Sequence, residues 1–543
     1  MFNRFFNSQT KSVGGAAGIL AISSIISGLL GMLGDRMLAG RFGAGIETSI
    51  YFAAFKIPDL VYNVLISGGI VVAFLPIFVE YFSEGEDKAW QMTNYILNVF
   101  SFLLIVFCLI LFILAPWLTE FIAPGFSSEN KLMVMILTRI LLLQPFFLGI
   151  SNIFSGVLHY FNRFLSYGLA PIFYNLGIIS GILFFSPYFG ISGVGLGVIF
   201  GAFLHLVIQI SSAINCGFKY KFLFSFKYPA VKRTFFLMLP RIFAISANQI
   251  NSIVITAIAS TIAAGSIAIF NFSNNLQGLP MGVLGVSLAT AIFPTFSRLW
   301  ANGRKVEFLE KFSLILCQTL FIIIPISILM FLLRAQIVRL ILGTGRFGWE
   351  NTRLTAASLG LFSLSIFASA LIPFLGRVFF SLQDTKTPTF VVLITVFANI
   401  GLSFLFIKLL TFSNFFRNFL ETNLKLRGIE NIAVVGLPLA YSITTIFQFI
   451  LLLFFLYKKI GDFEIKKILD SLKKILISSF IMAVTVYFSL RFLVNFVSLK
   501  TFFGVLFQTA LSAILGLSIY LIFSKILNIK EFKIISQRLK LLL

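Results

Sequence analysis

Residues 164–218 read FLSYGLAPIFYNLGIISGILFFSPYFGISGVGLGVIFGAFLHLVIQISSAINCGF, without one Lys, Arg, Asp or Glu. A water-exposed helix needs a polar face, and this stretch has no charge to place on one. It is also too long for a single crossing, because a hydrocarbon core of ~30 Å takes about 20 helical residues. Near its middle, Pro187-Tyr188-Phe189-Gly190-Ile191-Ser192-Gly193 supplies the proline and glycines at which a helix stops. The segment therefore reads as two membrane-spanning helices joined by a tight outer turn.

The same test extends in both directions. Apolar windows cover residues 12–34, 60–79, 91–119 and 132–158, the last interrupted only by Arg139. Residues 234–297 divide at Ala263-Ala264-Gly265, and further windows cover 312–333, 354–376, 387–407, 431–457, 475–490 and 501–524. The fold class is thus an all-α polytopic membrane protein of about fourteen helices. Composition agrees: 59% of the 543 residues are hydrophobic and 11% charged, against about 25% charged in soluble domains.

A net charge of +23 would suit nucleic acid if it sat on one polar domain, but here the cations lie between apolar runs, so a membrane is the expected partner. Basic segments at Lys219, Lys221, Lys227, Lys232 and Arg233, at Arg304, Lys305 and Lys311, and from Lys458 to Lys474 are placed inside by the positive-inside rule. Arg334, Arg339, Arg346 and Arg353 fall outside and oppose it. With an even helix count and basic ends (Arg4, Lys11; Lys525, Lys530, Lys533, Arg538, Lys540), both termini are expected in the cytoplasm. No cleavable signal peptide is expected, and residues 526–543 read as a basic amphipathic tail on anionic lipid.

Cys108, Cys216 and Cys317 lack metal-ligand spacing, and His159 and His205 stand far apart, each read as a satisfied helix-end residue. No metal or cofactor is expected. Neither a nucleophile elbow nor a phosphate loop appears in its required context, so the chain is read as no enzyme.

An internal repeat orders the helices. Ala73-Phe74-Leu75-Pro76-Ile77-Phe78 matches Ala291-Ile292-Phe293-Pro294-Thr295-Phe296 at an offset of 218, which sets the second helix against the eighth. Pro124-Gly125-Phe126 falls opposite Gly345-Arg346-Phe347, and the turn at 159–163 opposite that at 382–386. A repeat of six helices keeps both copies in one orientation, with a cavity expected between them, as in transporters. The expected domains are a six-helix lobe over 1–218, a second over 219–457, two further helices over 458–525, and the tail.

Polar residues inside spans are costly in hydrocarbon and usually face a cavity. Asp35 and Arg36 close the first helix, Lys56 and Asp59 enter the second, and Arg241 lies near the start of the seventh. Amides add Asn63 and the run Asn271, Asn274, Asn275 and Gln277, followed by Leu279-Pro280-Met281-Gly282, which suits a bent helix lining a wet cavity. Asp35, Arg36, Lys56, Asn63, Arg241, Asn274, Asn275 and Gln277 form the candidate substrate-binding set.

Several of these stretches carry a resemblance. Gly34-Asp35-Arg36, Arg41-Phe42-Gly43-Ala44-Gly45, Ala54-Phe55-Lys56-Ile57-Pro58-Asp59-Leu60, Ala123-Pro124-Gly125-Phe126, Asn162-Arg163-Phe164, the run 279–286 and Gln383-Asp384-Thr385-Lys386-Thr387-Pro388 resemble, in order, the signature stretches of the MurJ (MviN) family, within the multidrug/oligosaccharidyl-lipid/polysaccharide exporter superfamily. The resemblance implies two six-helix lobes and alternating access to a central cationic cavity. It also implies a groove on the last two helices for a polyprenyl tail, and flipping of lipid II, or a similar polyprenyl-diphosphate lipid, between leaflets of a bacterial inner membrane; a monomer is expected. Family members usually carry arginines where this chain has Gly28, Gly34, Tyr62, Asn63 and Asn275. The alternative reading is therefore a related exporter of another polyprenyl-linked oligosaccharide or of drugs, or a homologue that no longer transports.

Overall fold

The structure, a computed structural model, describes residues 13–534, and among them there is helix and turn but no strand. Helix α1 is Val13–Phe42, α2 covers 46–84, α3 is Glu86–Ile122 and α4 is Ser128–Tyr160. The apolar run Phe164–Ile214 breaks at Gly190 (φ 56°, ψ −137°), a conformation only glycine adopts readily, and this yields α5 (164–189) and α6 (191–214). Helix α7 is Pro229–Ser260, α8 covers 266–301, and α9 is Lys305–Leu332. Helix α10 joins Trp349–Ser363 to Ile366–Ser381 at a 47° bend. Helix α11 is Lys386–Thr411, α12 Gly436–Ile460, α13 Ile465–Leu493 and α14 Phe502–Ile526. Ten helical runs are long and apolar enough to span; dividing one of them at Gly190 and adding the bent pair, α7 and α8 brings the described rods to the expected fourteen.

The second rod begins earlier than its uncharged window. Charge ends a hydropathy window at Asp59, but the backbone continues because Lys56 and Asp59 are half-buried among protein groups.

Both α2 and α8 contain a π-helical segment, Tyr62–Ile70 and Met281–Val286, followed by a proline at 76 and 294. The repeat extends to the turns. Asn162 and Gln383 both have left-handed backbone (φ 55° and 57°), and the following amides, of Arg163 and Asp384, each bond a carbonyl five residues back, at Leu158 and Phe379. These are paired Schellman-type helix ends.

Packing divides the chain into two compact units, one formed by the chain through Ala268 with Thr344–Arg346, the other by Ile269–Gly343 and the chain from Phe347. In the first unit, α5 and α6 meet glycine on glycine, with Gly177 and Gly181 against Gly197 and Gly201. There α7 lies against the π-segment of α2. Asn94 and Asn98 of α3 hold the non-helical segment after α6 through the carbonyls of Lys219, Lys221 and Leu223, at 3.0–3.1 Å.

The second unit has a phenylalanine core in which Phe296, Phe308, Phe312 and Phe374 touch in series. Tyr520 of α14 donates to the Phe321 carbonyl of α9 at 2.7 Å, tying on the last helix. Of the expected tail, Ile529 and Glu531 are buried, and Glu531 accepts from Ser471 of α13 at 2.8 Å. Arg4, Lys11, Arg538 and Lys540 lie outside the described residues.

The Gln383–Pro388 stretch is explained by architecture. Asp384 accepts from the Thr387 amide (3.0 Å) and hydroxyl (2.7 Å) at the start of α11, and from Lys459 of α12 at 2.6 Å. Burial pushes its carboxyl up, but these donors outweigh it and bring it down to about 2. A carboxyl lowered on folding from 3.8 stabilises above that value and loses the contribution as pH falls towards 2. Asp384→Asn should therefore lower the melting temperature near neutrality and flatten its fall between pH 4 and 2, which thermal scans at stepped pH would check. Equal profiles for the two proteins would contradict the assignment.

Candidate functional site

The α1–α2 corner gathers the charged candidates of the first unit. Lys56 follows a one-residue interruption at Phe55, and its Nζ lies 3.2 Å from Ser252 Oγ on α7. Asp59, one turn on, is within electrostatic reach of Lys56, and both Asp59 and Asp35 are within reach of the buried Tyr51 ring. Asp35 and Arg36, in the later turns of α1, are half-buried. The structure thus brings Asp35, Lys56 and Asp59 into one neighbourhood around Tyr51, with Tyr62 and Tyr174 at its edge.

Asn63 is used locally: its amide donates to the Asp59 carbonyl at 2.9 Å, as α2 enters the π-segment. The Arg241 side chain lies outside the described ones. Arg139 reaches the Phe112 carbonyl (3.1 Å) and stacks over that ring, as an anchor would.

The amide run of α8 belongs to the second unit and presents two faces. Asn271 and Gln277 are buried, Asn274 is half-buried and Asn275 is exposed. Gln277 Nε2 donates to Asn274 Oδ1 at 2.9 Å, while Gln277 Oε1 is buried without a hydrogen-bond partner. Among the described residues that acceptor has no donor, and an unpartnered buried acceptor costs roughly 1–3 kcal/mol. After Pro280, where the sequence suggests a bend, the helix runs on as the π-segment Met281–Val286.

A second feature of this unit is an apolar groove of about 1140 Å³ between α9, α10, α12 and α13. Leu320, Phe367, Leu453, Leu472 and Phe480 line it, and its polar side chains are Ser327, Ser363 and Tyr457. The expectation placed a groove on the last two helices. Helix α13 lines this one and α14 does not, because α14 packs behind α13 and against α9.

His205 corrects an expectation. It is not at a helix end but within α6, where its Nδ1 lies 2.7 Å from Ser151 Oγ of α4. Beside it, Gln209 Oε1 accepts from Ser155 at 2.6 Å. His159 is at the end of α4, edge-on to Tyr167 at 4.4 Å. Among the described residues no three His, Cys, Asp or Glu converge on a metal position. Sequence reasoning passed over Tyr51, Tyr174, Ser252 and Gln209; only Ser252 had a signal, its place beside Asn248, Gln249 and Asn251.

Comparison with known proteins gives one consistent result. The family described as lipid II flippase MurJ matches residues 38–507. A probable lipid II flippase MurJ of Borreliella burgdorferi is 28% identical over 476 residues, covering 87% of this chain and 89% of that protein. A lipid II flippase MurJ of Burkholderia cenocepacia is 25% identical over 374 residues, 67% of this chain and 72% of the other. Among solved structures, lipid II flippase MurJ in an inward closed conformation superposes with a TM-score of 0.73 at 25% identity, covering 93% of this chain and 98% of that one. An inward-facing multidrug resistance MATE family transporter of the MOP superfamily superposes at 0.62 with 14% identity, over 80% of this chain and 96% of its own, which is a likeness of fold.

Proposed function

Because the chain belongs to the lipid II flippase MurJ family, we infer that it moves lipid II, a lipid-linked peptidoglycan precursor, from the inner to the outer leaflet of a bacterial cytoplasmic membrane by alternating access. The observation that carries this reading is the family match across residues 38–507, which reaches from α1 into α14. The chain acts as a transporter and catalyses no covalent step. Lys56 and Arg36 supply positive charge for a diphosphate, Asp35 and Asn63 position that corner, and Asn274, Asn275, Gln277 and Arg241 contribute polar contacts to the head group. The apolar groove of the second unit suits a polyprenyl tail, since hydrocarbon gains about 25 cal/mol per Å² when it leaves water. The protein works as a monomer with both termini in the cytoplasm, and its basic segments rest on anionic lipid.

One observation favours a second reading. Positions 28, 34, 62, 63 and 275 carry no charge, so this chain offers a diphosphate fewer charge-assisted bonds than an arginine set would. That suits another polyprenyl-linked oligosaccharide, or a homologue without transport. Expression in bacteria depleted of their own lipid II flippase separates the readings. Lipid II transport predicts restored growth and restored exposure of labelled precursor on the outer leaflet; normal membrane insertion with neither would favour the second reading.

A further inference from the structure

The first unit contains a cavity of about 420 Å³ bounded by α1, α2, α4, α5 and α6. This volume lies within the roughly 300–1,000 Å³ typical of small-molecule sites. Among the described residues no Asp, Glu, Lys or Arg lines it. An anion or a metal cation would enter such a space without a counter-charge, at heavy desolvation cost. The walls instead combine hydroxyl and amide groups with two tyrosines, Tyr62 and Tyr167.

The hydrogen bonds already made show what is left for a ligand. Gln209 is 1% exposed and its Oε1 is taken by Ser155, so its Nε2 amide is the group it has left to offer. Ser151 engages His205 at Nδ1, and in either neutral tautomer this leaves Nε2 as the ring's free position. Asn152 donates to the Leu148 carbonyl at 2.7 Å and lines the cavity beside Tyr62. A ligand therefore meets an amide donor, an imidazole nitrogen, hydroxyls and aromatic rings, all held by bonds behind them. That set suits a molecule with alternating hydroxyl donors and acceptors and an apolar C–H face, which is a pyranose ring.

We propose that this cavity is a neutral-sugar subsite, taking one pyranose of the transported head group through Gln209, His205 and Asn152, with the tyrosines against its C–H face. The proposal rests on the flippase reading for the identity of the cargo, and it sets an uncharged sugar site beside the charged α1–α2 corner, with Tyr62 at the border of the two. Gly28 gives a clean handle, because it lines the cavity and a Cβ built on it meets nothing within 4 Å. A larger side chain there can fill the cavity without displacing a neighbour.

The test is saturation-transfer NMR of the methyl β-glycoside of N-acetylglucosamine with the full-length protein in nanodiscs, alongside a lipid II flipping assay on the same preparation. Wild type and Gly28→Ala should give saturation transfer that inorganic pyrophosphate does not compete away. Gly28→Phe and Gln209→Leu should lose at least most of it while remaining monodisperse and thermally stable. No transfer to the glycoside with wild type, equal transfer with monodisperse Gly28→Phe, or competition by pyrophosphate would overturn the subsite. Glycoside binding by a wild type that does not move lipid II would instead remove the cargo assignment and leave the sugar site standing; flipping without glycoside binding would do the reverse.

Discussion

Gly197→Leu is expected to leave almost no folded protein in the membrane. A Cβ at Gly197 would lie 2.3 Å from the Gly181 Cα and 2.8 Å from the Gly177 carbonyl oxygen, and one at Gly177 would lie 2.1 Å from the Gly201 Cα. Carbon atoms settle at about 3.5–4.0 Å, and the obstructing atoms are backbone, which has no rotamer to change. Helices in lipid gain little from the hydrophobic effect when they associate, so close backbone approach supplies much of their attraction. Overpacking costs typically 1–3 kcal/mol even where side chains can yield, against a total stability of about 5–15 kcal/mol. Gly197→Ala should lower the melting temperature measurably, and Gly197→Leu should abolish the monodisperse peak in fluorescence-detected size exclusion. Gly28→Leu, on open space, should change neither reading. Wild-type abundance and melting for Gly197→Leu would refute this account of the α5–α6 contact.

Lys56→Met should have the opposite profile, with normal abundance and lost transport. Methionine fills a similar volume and removes the desolvation cost of the ammonium, which offsets the lost contact with Ser252 and the lost counter-charge beside Asp59, so the protein should still reach normal abundance. Transport should fall roughly tenfold to a hundredfold, because a hydrogen bond to a charged group is worth about 1.5–3 kcal/mol. Lys56→Arg should retain part of the activity, since it keeps the charge but replaces a compact ammonium by a planar fork. The measurement is outer-leaflet lipid II at matched membrane abundance. Undiminished flipping by Lys56→Met would show that Lys56 serves the corner around Tyr51 and Ser252 and not the cargo.

Much of the helical frame was legible because lipid imposes one dominant rule, that backbone polar groups be satisfied within each span. The uncharged run through Gly190 and the division at Ala263-Ala264-Gly265 follow from that rule and from glycine. The start of α2 was not legible, because hydropathy counts Lys56 as an ending and has no means of knowing that Ser252, 196 residues away, receives it. The same limit hid the polar cavity. Gln209 and His205 look like stray polar residues in a long apolar run until the α4 serines that hold them are placed beside them. The turn at 382–386 was legible from the repeat, but the partners of Asp384 were not, because they are the start of one helix and a lysine at the end of another, 75 residues away.

The π-segments bear on the history of the chain. A π-turn is the mark of one residue added to an α-helix that kept its hydrogen bonding on either side. Here α2 and α8 both carry that mark, and both follow it with a proline, at positions 76 and 294. A third π-segment, Gly181–Phe185 in α5, has no counterpart in α11, so it is the shared place and the shared proline, and not π-helix as such, that mark α2 and α8 as matching members of the two halves.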